Sequence, residues 1–178
     1  MNTVMEITVL FLLAVLIFQD FKSRSVYWYI FPMIFIAGLV LNYIEYRSFF
    51  FRQLILSQLF LVIQLILVTI YFSVKNKKLV NITDSQIGLG DILFLLSITP
   101  MLTTLNYIFY YISSLFFALL FYGIYALLIR TEKTIPLAGI QAIFLSGLLI
   151  LLKVSGNISL LKSDILLSGL VNKFSASL

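Results

Sequence analysis

The uncharged stretch ILFLLSITPMLTTLNYIFYYISSLFFALLFYGIYALLI, residues 92–129, decides the fold class. As a single helix it would extend roughly 57 Å, about twice the hydrocarbon thickness of a bilayer. It must therefore hold two helices. The break belongs between Thr99-Pro100 and Thr103-Thr104-Leu105-Asn106, where proline, β-branched polar residues and asparagine supply turn chemistry. The first of the two helices, 91–103, is then short, and the second covers 107–129.

Working outward, further apolar runs fall at about 4–19, 26–44, 54–74 and 136–152. Each is near the length that crosses a bilayer once tilt and flanking turns are allowed. The whole chain of 178 residues is 62% hydrophobic and 11% charged, with a mean hydropathy of +1.12. Water-soluble domains are roughly half apolar and a quarter charged, so a soluble globule is excluded. The expectation is an all-α polytopic membrane protein with six transmembrane helices, forming a single membrane-embedded domain over 1–178. The apolar stretch 158–171, broken by Lys162 and Asp164, is too short to span and is expected to be an interfacial or packed helix. No basic region precedes the first run and no small-residue cleavage site follows it, so it reads as a retained span and not a removed signal peptide.

The net charge of +5 reads as topology. The basic residues sit singly or in small clusters between apolar runs, without the stripe that nucleic acid binding needs. With the first, third and fifth connectors cytoplasmic, that side carries Lys22, Arg24, Lys75, Lys77, Lys78, Arg130 and Lys133. The other side carries Arg47, Arg52, Lys153, Lys162 and Lys173. This is a mild positive-inside bias with the N-terminus outside.

The chain has no Cys and no His, which excludes disulfides, thiolate nucleophiles, Ser-His relays and His- or Cys-based zinc sites. Its seven acids are Glu6, Asp20, Glu45, Asp84, Asp91, Glu132 and Asp164. Ionisable groups near the hydrocarbon are costly and hence functional candidates. Asp20 closes the first span and Asp91 opens the fourth, so two complete crossings separate them and both return to the same membrane face. The segment at Pro136, between the fifth and sixth spans, reaches that face too. Gly88 and Gly90 precede Asp91 and remove side-chain bulk, so a substrate backbone or another helix can come close. Two neighbouring carboxylates share one proton; one then activates water while the other polarises a carbonyl. The dipoles of their own helices favour the negative charge on Asp91, at a helix start, over Asp20, at a helix end. The remaining charges have plainer readings: Glu45, Asp84, Glu132 and Asp164 as loop or interface charges, and Thr83-Asp84-Ser85-Gln86 as a capping box. Asn42, Gln58, Gln64 and Gln141 inside the spans either line a groove or hydrogen-bond between helices.

Three features together resemble the type IV prepilin peptidase family, the prokaryotic branch of the GxGD membrane aspartic proteases. They are Gln19-Asp20-Phe21-Lys22-Ser23-Arg24 at the end of the first span, Gly88-Leu89-Gly90-Asp91, and Ile135-Pro136-Leu137-Ala138-Gly139 ahead of the last span. The resemblance covers 4–152. It implies a peptidase of the prokaryotic cytoplasmic membrane, its active site facing the cytoplasm, that cleaves the short basic leader of prepilins or pilin-like subunits ahead of their hydrophobic helix. It also implies Asp20 and Asp91 as the catalytic pair, Gly88 and Gly90 as motif glycines, and no cofactor or metal. The chain departs from the family pattern at Ser25-Val26-Tyr27, at Leu93 and at Pro136-Leu137-Ala138-Gly139. It also lacks the Cys-bearing insert of longer members, which leaves N-methylation of the product unsupported.

Two other readings stay open. Presenilin and signal peptide peptidase share Gly-x-Gly-Asp, and Pro136-Leu137-Ala138 is similar to their Pro-Ala-Leu segment, but they carry their two aspartates on adjacent helices. A small transporter or a noncatalytic scaffold would use Asp20 and Asp91 as proton-relay or packing groups.

Overall fold

A computed structural model describes residues 3–45, 50–77, 88–128 and 136–154. The capping box at 83–86, the acids Asp84, Glu132 and Asp164, and the 158–171 stretch lie outside the described residues. Every regular element within them is helical: α1 (Thr3–Ser23), α2 (Ile30–Glu45), α3 (Phe50–Asn76), α4 (Leu89–Ser97), a 3-10 turn (Thr99–Met101), α5 (Thr104–Leu128) and α6 (Leu137–Val154). Four of these, α1, α3, α5 and α6, are long and apolar enough to cross a membrane, while α2 and the Leu89–Met101 segment are shorter apolar helices.

The uncharged run divides where proline and threonine demand it. Ile98 ends α4, Pro100 lies inside the 3-10 turn, and Leu102 turns extended (φ −123°, ψ 147°) before α5 begins at Thr104. Proline cannot donate the hydrogen bond that would continue the helix. At the other boundaries, helix ends and apolar runs part company. α1 continues past the apolar run through Asp20, Phe21, Lys22 and Ser23, so Asp20 lies inside its last turn rather than closing it. Arg24 then ends α1 at φ 52°, its N–H donated to the Asp20 carbonyl (3.0 Å). This is a left-handed cap, with a cation where the helix dipole favours one. Val26 to Tyr29, apolar in sequence, form the connecting turn, and the Gln19 side-chain oxygen accepts the Tyr27 N–H (3.1 Å). Tyr27, Trp28 and Tyr29 stay exposed, as aromatic residues do at a membrane–water boundary.

Contacts along the helices fix their directions. α1 and α6 are antiparallel: Glu6 bridges Lys153 at one end (3.0 Å), and Asp20 meets Gly139 at the other. α3 and α5 are parallel. Gln53 Oε1 accepts both the N–H and the hydroxyl of Thr104 (2.9 and 2.6 Å), Phe60 packs edge-on against Tyr107 and Tyr111, and the Gln64 side chain hydrogen-bonds Tyr111. α2 and α4 are parallel as well, Phe31 packing near Gly90 and Gly38 lying against Pro100 and Met101. At Gly38 a Cβ would stand 2.8 Å from Met101 Cγ, so only glycine lets α2 approach the turn this closely; Asn42 also donates to the Pro100 carbonyl there. One end of the bundle therefore gathers the C-termini of α1 and α3 with the N-termini of α2, α4 and α6.

Helix α4 lies inside, against α2, α3 and α6. Phe94 and Ile98 are fully buried among Leu13 and Leu16 of α1, Ile34 of α2, Tyr107 and Tyr110 of α5 and Leu145 of α6. The two tyrosines take their hydroxyls to backbone carbonyls, Tyr107 to Leu95 (3.1 Å) and Tyr110 to Gln141 (2.8 Å), which satisfies both groups away from water. The opposite character appears on α3, where Ile55, Leu59, Ile66 and Ile70 are each more than half exposed. An apolar flank of this kind faces lipid when a helix crosses a bilayer.

Candidate active site

Asp20 and Asp91 meet at the end of the bundle where α4 and α6 begin. Asp20 is 8% exposed and accepts the backbone N–H of Gly139 through Oδ2 at 2.6 Å, a short charge-assisted bond. Asp91 is half-buried, interacts electrostatically with Asp20, and faces the backbone N–H groups of Ala138 and Gly88. Thus two carboxylates far apart in the chain are held by consecutive peptide groups at the start of α6. The first N–H groups of a helix have no intrahelical partner and attract anions, which is why this end of α6 gathers both. Pro136 stands at the head of that helix, its carbonyl accepting the Ile140 N–H (3.1 Å), and leaves Ala138 and Gly139 in the first turn with their donors free for the acids. The dipole of α6 thus acts on both aspartates, adding to that of α4 at Asp91 and opposing that of α1 at Asp20.

The three glycines around the pair differ in what they leave room for. Gly88 is the N-cap of α4, with extended backbone (φ −63°, ψ 139°), and accepts the N–H of Asp91 (3.0 Å). A Cβ on it would lie 3.1 Å from Asp91 Oδ2, tight enough to push the carboxylate. At Gly139 a Cβ would stand 2.9 and 3.0 Å from the Phe21 ring and 3.0 Å from Asp20 Oδ2, so the contact between α1 and α6 requires glycine. Gly90 is different: its nearest neighbour would be Phe31 Cζ at 3.9 Å, an ordinary contact. Packing does not demand glycine at position 90, next to Asp91 in the chain.

Lys22 lies over the Phe18 ring (5.3 Å to the centroid), and Arg24 acts on Asp20 electrostatically while capping α1. The salt bridge at the far end, Glu6–Lys153, joins an acid that the sequence left without a role to a lysine counted there only among the charges of the outer side. Of the polar residues within the helices, Asn42 and Gln64 hydrogen-bond to neighbouring elements, while Gln141 is buried inside the bundle. Among the described residues no third acid joins Asp20 and Asp91 to make a metal-ligand cluster.

Sequence reasoning missed Gly139 and Ala138 as site residues. Their contribution is backbone N–H, which leaves no side-chain signature; the available signal was a small-residue pair placed just after a proline at a helix start. In comparisons with known proteins, no family model, no curated protein and no solved structure matches this chain.

Proposed function

We propose that this chain is a membrane aspartic endopeptidase of the prepilin peptidase type, which removes the basic leader of prepilins or pilin-like proteins. The observation that carries the reading is the convergence of Asp20 and Asp91 on the consecutive N–H groups of Ala138 and Gly139. In the reaction the pair holds one proton. The ionised carboxylate takes a proton from water as its oxygen bonds to the scissile carbonyl carbon, and the protonated one hydrogen-bonds the carbonyl oxygen. Collapse of the tetrahedral species breaks the C–N bond, with a proton passing to the departing amine. The absence of a side chain at Gly90 lets an extended backbone come close to Asp91.

In this reading α2 and the Leu89–Met101 segment cross the membrane along with the four longer helices, giving six spans, and the acid pair faces the cytoplasm of a prokaryotic cell. The charge distribution supports it. The acid end carries Lys22, Arg24, Lys75 and Lys77, whereas the far end carries Arg52 and a Lys153 already paired with Glu6. The substrate's basic leader would then lie on the cytoplasmic side, ahead of its apolar helix.

A packing role is the second reading, favoured by the Asp20–Gly139 bond, which by itself ties α1 to α6. Co-expression with prepilins separates the two. Under the peptidase reading, Asp20→Asn and Asp91→Asn each abolish the size shift of the prepilin while the membrane protein accumulates at its usual level. Under the packing reading the same changes lower the protein's abundance, and processing does not depend on the chain at all.

A further inference from the structure

Gln141 is fully buried, and neither its side-chain oxygen nor its side-chain nitrogen has a hydrogen-bond partner among the described residues. A primary amide left unpaired in an apolar core is strongly disfavoured, and each such group needs a physical reason. The inner face of α6 gives one. Ala138, Gln141, Ala142 and Leu145 follow helical spacing, and all are buried. Gln141 thus lies one turn, about 4.5 Å of rise, beyond Ala138 on the same face. Ala138 is the residue whose N–H faces Asp91. Side chains on a helix lean toward its N-terminus, so a glutamine at 141 reaches back over the Ala138 turn toward the acid pair, past a residue too small to block it. The Tyr110 hydroxyl on the Gln141 carbonyl (2.8 Å) ties this turn of α6 to α5.

A primary amide carries both a donor and an acceptor and matches one peptide group, whose C=O and N–H it can engage together. We propose that Gln141 is a positioning residue that clamps the peptide group next to the scissile bond of an extended substrate; the inference rests on the peptidase reading above and adds a specific substrate contact to it. Binding then supplies the partners that the amide lacks in the free protein. A glutamine serving only to hold helices together would instead have those partners already, from a neighbouring helix.

The test uses the full chain in detergent with a synthetic peptide bearing a Lys/Arg-rich leader joined to an apolar helical segment, and compares wild type with Gln141→Met and Gln141→Leu. Loss of two neutral hydrogen bonds to bound substrate should raise KM about tenfold and leave kcat within about threefold. The thermal midpoint should equal or exceed that of wild type, because the change removes an unpaired amide from the core. An unchanged KM in both variants overturns the proposal, whatever the midpoint does. So does failure of both variants to accumulate in the membrane, which would make the amide structural. Wild type that cleaves neither this peptide nor any co-expressed prepilin overturns the peptidase reading, and the clamp with it; wild type that cleaves normally while the variants share its KM overturns the clamp alone.

Discussion

The seam between α1 and α6 is fastened by an acid at each end, and the two ends are built differently. At one end Glu6 meets the ammonium of Lys153 (3.0 Å); at the other Asp20 meets a backbone N–H (2.6 Å), with Asp91 alongside. The spacing along α1, from residue 6 to residue 20, equals that along α6, from 139 to 153, so both contacts hold the same antiparallel register. A carboxylate matched to a cation has its charge answered and serves to hold the helices. At the other end the two carboxylates share neighbouring peptide N–H groups, and in the proposed reaction they hold one proton between them. Under the peptidase reading, the same fastening that closes one end of the seam leaves reactive groups at the other.

The sharpest break in this comparison comes from removing charge at each end in turn. Under the peptidase reading, Asp20→Asn or Asp91→Asn should lower leader processing by at least about a thousandfold, since shared-proton chemistry needs both acids. Glu6→Gln should leave processing within about twofold, because the far end contributes register and not chemistry. The measurement is the initial rate of leader removal, normalised to the amount of protein in the membrane. Equal losses from Glu6→Gln and Asp20→Asn would mean that both acids act only as fasteners.

Glycine substitutions sharpen the contrast within the acid end itself. Gly139→Ala forces a methyl into Phe21 and Asp20 Oδ2, and overpacking of this kind costs about 1–3 kcal/mol. It should also shift Asp20 off its donor and lower processing about tenfold or more. Trimming the obstructing ring, in Gly139→Ala with Phe21→Ala, should recover part of the stability while the contact with Asp20 remains. Gly90→Ala meets only Phe31 Cζ at 3.9 Å, so its midpoint should stay close to that of wild type, and any loss of processing should appear in KM. Thermal unfolding in detergent and steady-state cleavage, measured on the same preparations, check both halves.

What the sequence made legible follows from which signals are local. The apolar runs mark the helices, because lipid-facing and core residues are alike apolar, and the uncharged run had to break because Pro100 cannot continue a helix. That Asp20 and Asp91 return to one end followed from counting crossings. Helix ends were less legible. α1 carries on through Asp20 and Lys22 because backbone hydrogen bonding does not stop where apolar side chains do, and a long basic side chain can run along the helix to the boundary. Val26 to Tyr29 read as the start of the next span, yet they turn, because the Gln19 side chain takes the Tyr27 N–H. Register between distant helices was not legible at all. Nothing local to residue 6 or residue 153 announces their pairing, and the N–H groups of Ala138 and Gly139 belong to the backbone of any residue.

The smallest expected effect concerns the far end. Lys153 is 40% exposed and Glu6 13%, so the bridge reaches the surface and is screened; exposed pairs of this kind contribute below about 1 kcal/mol. Lys153→Met should lower the thermal midpoint by no more than a few degrees. Reversing the pair, in Glu6→Lys with Lys153→Glu, should restore most of the loss because the geometry is retained and only the sign is exchanged, although each charge then lies at the end of its helix that the dipole disfavours. The double-mutant coupling should fall as salt is raised. A coupling that is large and indifferent to salt would mean that this bridge is shielded from water as the aspartates are, and the difference between the two ends would then lie in their partners alone and not in their exposure.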